Sequence, residues 1–422
     1  MQLDLIVENA RLITGDPARP SASRLGVWRG VVVGVDEELD GLAARERLDA
    51  RGRTVLAGFN DAHAHSVWFG QSRLDVDLEG ARTAEEVHRR VRARAAELDP
   101  GAWVTCTGFD PGHLTGPQPD RDSLDAAASG RPVLIRHNTG HAVTVSGAVL
   151  VLAGVGEQVL QQPEGGRILT DAAGRPTGLL EETAMSLVTR LLQPESHEHI
   201  GACLARASQE YAAEGITSVT DAGVAGGWIG HSPLEFGAYQ RARDAGLLRT
   251  RFQTMVTLDA LHSVDGHPDD GTHLTLDAGV RTGVGDEWLQ IGPAKVFTDG
   301  SMLGQTAAMT EDYCGHGHGR GYLQQDAGEM RRACLGAAAA GWALALHAIG
   351  DAALDFALDV IAEACRSAGG AVDGPRDRPW NARELAVITP EGARVVMTAA
   401  KPFVHDSRED HALRAMSISE SA

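Results

Sequence analysis

The sequence predicts an α/β protein built on a parallel sheet, of a size that suits a (β/α)8 barrel with appendages. Two observations carry this. The 422 residues exceed the roughly 250 residues of an ordinary barrel and leave room for additional segments. From Ala62 onward, β-rich runs such as ITSVTDAG (216–223) and LALHAIG (344–350) alternate with helical patterns, which is the signature of βα units around a parallel sheet. A 43% hydrophobic and 23% charged composition supplies a large core and excludes disorder, collagen or coiled coil for the whole chain.

In chain order, the first sixty residues read as short strands at 3–7, 25–35 with an Arg29-Gly30 turn, and 54–56, forming a small β layer. The spacing Thr83-x-x-Glu86 is a capping box and predicts a helix to about residue 98. The stretch 68–175 is too long for one βα connection and reads as an insertion with its own strands and helix. Residues 194–214 form a further predicted helix, ended by Gly215, and Asp351 is placed to cap another in AALDFALDVIAEACRSA. After Gly370 periodicity fades, and the tail is expected to be partly disordered or badly packed.

Charge and cysteine usage narrow the partners. The net charge of −19 repels phosphate backbones and anionic membranes, so nucleic acid and membrane surfaces are excluded as expected partners. No run of about 18 apolar residues and no signal-like start are found, which predicts a cytoplasmic protein. Five widely spaced cysteines without a CxxC pair predict neither a disulfide framework nor a thiolate metal site. Of 38 basic residues only Lys295 and Lys401 are lysines. A lysine in an apolar stretch of such a chain invites the question of what arginine could not do there.

The strongest chemical motif is GFNDAHAH, residues 58–65. His63 and His65 alternate as strand residues do, so both imidazoles point to one face and can reach one metal ion, with Asp61 on the same face as a supporting partner. In AKVFTDGS, residues 294–301, Lys295 lies where an uncompensated ammonium is costly. It is read either as a neutral amine able to form a carbamate that bridges metal ions, or as a salt bridge to Asp299 or another carboxylate. His347 of LHAIGD ends an apolar strand just before a helix, where barrel enzymes project catalytic groups, although a buried structural histidine fits too.

Other groups are weaker. His137, Asn138 and His141 lie near a bend and either line a substrate pocket or cap a turn. Glu181 or Glu182 either meets metal or starts a helix, and Asp221 is a strand-end carboxylate of open role. The pair His197 and His199 falls in a predicted helix, where residues two apart diverge by about 200°. His316 and His318 sit in a glycine-rich loop that is costly to order around an ion. No GxGxxG before a helix, P-loop or GxSxG elbow is present, so nucleotide cradles and serine nucleophiles are not supported.

Taken together, the N-terminal β segment, GFNDAHAH, AKVFTDGS and LHAIGD resemble the amidohydrolase superfamily, in particular its amidohydrolase 3 group with the N-substituted formamide deformylase-like enzymes. The resemblance spans roughly residues 3–368. It implies a TIM-type metal-dependent hydrolase barrel flanked by a small β-sandwich, hydrolysing non-peptide C–N bonds of small amides, N-substituted formamides or cyclic ureides. It implies His63 and His65 at a first metal, Lys295 as a carbamylated bridge or direct ligand, and His347 at a second. Lys295 and His347 are then the catalytic pair, and His141, Asn138 and Glu182 face the substrate. The cofactor is one or two divalent ions, most simply zinc. The partner is a small molecule, and a homodimer is left open.

Past the His347 helix the family's Arg-x-x-Glu-His strand, late catalytic aspartate and closing sandwich strands are not recognisable, and the tail offers only His405, Asp406, Asp410 and His411. The expectation is therefore an incomplete barrel, truncated or frame-shifted after about residue 370, poorly soluble or reliant on a partner, and weakly active or inactive. The division is residues 1–57 for the sandwich segment, 58–368 for the barrel with the insertion at about 68–175, and 369–422 for an atypical tail. The alternative function is a catalytically impaired or inactive homologue that at most binds metal or ligand. Hydrolysis of C–O or C–halogen bonds on the same scaffold is a third possibility.

Overall fold

The computed structural model describes residues 2–138, 142–159, 161–163, 166–227, 229–300, 302, 305–314 and 319–369, the side chains of 182 and 183 excepted, and the backbone of 371–378, 382–388 and 394–400. The N-terminal strands are β1 (Gln2–Glu8), β2 (Arg11–Ile13), β3 (Ser21–Ala22), β4 (Leu25–Trp28), β5 (Val31–Val35), β6 (Ala43–Asp49) and β7 (Thr54–Leu56). They form a four-stranded sheet, β5-β4-β1-β6, and a three-stranded one, β3-β2-β7. Val7, Ala10, Leu12 and Ala50 close a small core to which both sheets contribute. The β4–β5 hairpin turns on Arg29 (φ 50°) and Gly30 (φ 78°), the left-handed pair that a two-residue turn needs to match strand twist.

Next come β8 (Phe59–Ala64) and α1 (Ser66–Leu74). The chain then builds a second sheet from β9 (Val76–Asp77), β10 (Val104–Phe109), β11 (Val133–His137), β12 (Ala142–Val145), β13 (Gly166–Thr170) and β14 (Pro176–Glu182), in the order β13-β14-β12-β11-β10-β9. Helices α2 (Ala84–Glu97) and α3 (Arg121–Ala128) cover one side of it, and α4 (Gly147–Leu152) and α5 (Ser186–Thr189) the other. Thr83 accepts from the Glu86 amide at 3.3 Å, while Glu86 accepts from Arg82 one residue earlier than the expected box.

The chain returns through α6 (His197–Ala213) to β15 (Ile216–Val224), α7 (Glu235–Asp244), β16 (Arg251–Thr257), the hairpin β17 (His262–Asp265) and β18 (Thr272–Thr275), β19 (Leu289–Phe297), α8 (Ala327–Ala339), β20 (Leu344–His347) and α9 (Asp351–Ser367). The strands order β20-β19-β16-β15-β8, every neighbouring pair parallel. This is an incomplete TIM-type barrel of the α/β class, as the alternation predicts. Its core joins Val219, Phe252, Val256, Leu289 and Ile291 of the sheet to Ile200, Leu204, Ala207 and Tyr239 of α6 and α7. Helix α1 lies against α6 so closely that a Cβ on Gly70 would come within 1.9 Å of the Cys203 carbonyl oxygen.

Two expectations change. Asp351 does not cap its own helix: the cap position is Gly350, and the Asp351 carboxylate accepts from Thr310 on the connection between β19 and α8. A Cβ at Gly350 would lie 1.8 Å from the Ala308 carbonyl oxygen, so only glycine permits that approach. The tail, read as irregular, holds an antiparallel meander of β21 (Ala371–Arg378), β22 (Ala382–Ile388) and β23 (Arg394–Ala400). Pro375 falls where the β21–β22 register shifts, between Asp373 and Arg376, which is where a strand tolerates proline.

Candidate metal centre

The motif residues gather at the carboxyl ends of the barrel strands, where a parallel sheet exposes its loops and side chains can project without breaking the ladder. At the end of β8, Asp61 accepts from the His63 amide at 3.0 Å, so it shapes the backbone of the motif. The His63 and His65 rings stand edge to face, with centroids 5.4 Å apart. Burial lowers the basicity of His63, and the nearby Lys295 and His347 lower it further. His65 is held down to about 4 by burial first, then by His63, Lys295, His347 and His231. His65 is therefore neutral at physiological pH and His63 is shifted in the same direction, and the four groups share one electrostatic neighbourhood although β8 and β20 are opposite edges of the sheet.

Lys295 lies in β19 between Thr257 of β16 and Ala345 of β20. It is only 3% exposed, and burial alone brings its amine down to about 8. Among the described residues no carboxylate pairs with it; its Nζ stands 5.0 Å from the Phe297 ring centroid. The salt bridge to Asp299 is not formed. Asp299, 1% exposed, instead accepts from the amides of Ala308, Ile349 and Gly350 at 3.0, 3.0 and 2.7 Å. His347 places Nε2 3.1 Å from the Gly300 carbonyl and 3.7 Å from Asp299 Oδ1, and the Thr298 hydroxyl donates to its backbone oxygen.

Those of the remaining candidates that lie among the described residues do not join this group in the same way. Asn138 is exposed at the end of β11 in the second sheet, its amide donating to Phe109 O at 2.9 Å. His137 is buried with Nε2 2.8 Å from Thr144 Oγ1, a satisfied structural contact. The Glu182 backbone pairs with Gly166 in the second sheet; its side chain lies outside the described residues, as do His141, His316, His318 and the tail residues His405, Asp406, Asp410 and His411. His197 and His199 begin α6, where they meet Leu234 O at 3.1 Å and Glu195 at 3.5 Å. Asp221 is buried and accepts from the Ser66 amide at 3.0 Å and from the Tyr239 hydroxyl, tying β15 to the start of α1.

Sequence reasoning missed a buried polar group beside His65. His231 sets Nδ1 3.1 Å from Glu195 Oε1, and Glu235 Oε2 accepts from the Ala225 and His231 amides at 2.9 and 3.0 Å. Burial pushes the Glu235 carboxyl up to about 7. A lone GHSP segment carries no periodic or motif signal that would have found it. Among the described residues no three His, Cys, Asp or Glu side chains alone form a metal cage.

The amidohydrolase family model matches residues 46–398. The chain belongs to the amidohydrolase family. This amidohydrolase-family chain is 29% identical over 368 residues to the N-substituted formamide deformylase of Arthrobacter pascens, covering 84% of this chain and 65% of that one. It is 26% identical to the putative amidohydrolase YtcJ of Bacillus subtilis strain 168 over 77% of this chain and 58% of the relative. It is 27% identical to Protein LONG AFTER FAR-RED 3 of Arabidopsis thaliana over 92% and 65%. The chain thus spans less than two thirds of the length of these curated relatives. The fold is shared with an uncharacterized metal-dependent hydrolase from Pyrococcus horikoshii OT3, at TM-score 0.66 and 24% identity, covering 85% of this chain and 68% of the other.

Proposed function

We propose that the protein is a metal-dependent hydrolase of a non-peptide C–N bond in a small amide, N-substituted formamide or cyclic ureide, working in the cytoplasm. The observation that carries this reading is that His63, His65 and His347 share one electrostatic neighbourhood with a buried Lys295 that no carboxylate among the described residues pairs with. The donor set fits a divalent cation, for which zinc is the simplest choice: one imidazole held neutral by burial, a second and more exposed one whose basicity is lowered the same way, a third at a strand end, and an amine stripped of much of its basicity. Bound there, the cation would supply Lewis acidity and lower the pKa of a coordinated water.

The chain's own residues do the rest. His63 and His65 offer nitrogen lone pairs because their protonated forms are disfavoured. Neutral Lys295 can add to carbon dioxide, forming an N–C bond and releasing one proton, to give an anionic carbamate that arginine could not provide. Asp299 holds the ends of β19 and β20 in register, and so fixes Lys295 relative to His347.

A second reading, a metal-binding homologue with impaired catalysis, is favoured by the carboxylates. Among the described residues Asp61, Asp221 and Asp299 are each engaged by backbone amides, a structural role that the second reading accounts for without catalysis. Zinc reconstitution followed by metal analysis, with turnover measured on N-alkylformamides, simple amides and a cyclic ureide, decides between the two. Retained zinc that is lost in His63→Ala and His347→Ala, together with turnover, supports the hydrolase. Zinc without turnover supports the second reading, and no zinc overturns both.

A further inference from the structure

His65 is a half-buried residue with one nitrogen shut away: Nδ1 is buried and has no hydrogen-bond partner among the described residues. Leaving such a group unpaired is costly. Against His65 lies a cavity of about 10 Å³, lined also by Asp221, His231 and Glu235, with Val67, Trp68 and Ile229 as its apolar walls. That is the space of roughly one water molecule, and polar walls of this kind hold water where apolar ones stay dry.

We propose that a single buried water occupies this cavity and joins His65 Nδ1 to the group formed by His231, Asp221 and Glu235, making His231 a positioning residue for His65. The water accepts from Nδ1–H and donates toward the lining acceptors. This fixes the proton on Nδ1 and leaves the Nε2 lone pair free, the tautomer a metal-binding imidazole needs. His231 is well placed to serve. Glu195 anchors its Nδ1 at 3.1 Å, Glu235 anchors its backbone at 3.0 Å, and its ring stands edge-on to Trp68, 6.2 Å away. Asp221 is fixed in turn by Ser66 and Tyr239. The link from His65 to metal affinity rests on the function proposed above; the water and the tautomer do not.

Two measurements test this. A high-resolution crystal structure of the metal-free protein, with nitrogen-15 shifts of His65, should show an ordered water at Nδ1 and the Nδ1–H tautomer. An empty cavity or the Nε2–H tautomer overturns the proposal, whether or not zinc binds. Zinc affinity by competition titration should fall about 10- to 100-fold in His231→Leu and less than about threefold in His231→Gln, which keeps a polar atom. Equal affinity in wild type and His231→Leu overturns the positioning role. Should His231→Leu fail to fold, the wild-type water and tautomer still decide. Water and tautomer as expected in a protein that takes up no zinc uphold the water link and refute the metal-centre reading alone.

Discussion

The two large sheets use burial differently. In the second sheet, Val104, Cys106, Leu134, Ile135, Val145 and Leu180 are fully buried between helices on both sides. Most of its buried polar groups are paired: Arg136 meets Asp75 at 3.0 Å, the Thr105 hydroxyl donates to the same carboxylate, and His137 meets Thr144, while His88 Nε2 and Arg131 Nε beside it have no partner among the described residues. In the barrel sheet, Phe59, Asn60 and His63 of β8 are exposed, and β19 and its end bury Lys295, Thr298 and Asp299. Unpartnered polar atoms collect there as well, at His65 Nδ1 and Thr257 Oγ1. The second sheet is arranged for stability, while the barrel gives up stability where donor atoms must stay available.

Three substitutions sharpen or break this contrast. The largest effect is expected at Phe109, 1% exposed in the second sheet, where Phe109→Ala should cost about 3–5 kcal/mol in a denaturant titration; a cost no larger than a surface change would erase the contrast. Lys295→Met should act in the opposite direction and stabilise the metal-free protein by about 2–3 kcal/mol at pH 7. The sign follows from an amine at about 8 in the fold against the ordinary 10.5. Between those two values the unfolded chain binds more protons, so wild-type stability rises with pH across that window. The advantage of methionine is therefore full below the window and gone above it. Destabilisation by Lys295→Met would show that the amine has a partner in solution. The smallest effect is the loss of one cap: Thr83→Ala should lower stability by about 1 kcal/mol, read as a shift in the unfolding midpoint.

The sequence made the strand ends of the barrel legible because short-range patterns encode them. A strand period of two puts His63 and His65 together, and the apolar runs before Lys295 and His347 mark their strands. Helix α2 was readable from its Thr83 cap for the same reason. What escaped depends on long-range contacts. His231 takes its meaning from Glu195, 36 residues away, and no local spacing announces that. The amides that hold Asp299 belong to residues up to 51 positions distant, which is why a salt bridge with Lys295 stood as an equal alternative. The tail strands were hidden by Gly374 and Pro375, which read as breakers and sit where the β21–β22 register shifts.

Asp299 also bears on how such a protein can diversify. Because its carboxylate grips the amides just after His347 and that of Ala308 at once, the spacing between the lysine and the histidine is set on one side of the connection leading to α8. The length and chemistry of the remainder of that connection can then drift without disturbing the pair, so new substrates could be explored by lengthening or shortening a loop while the anchoring groups are inherited unchanged.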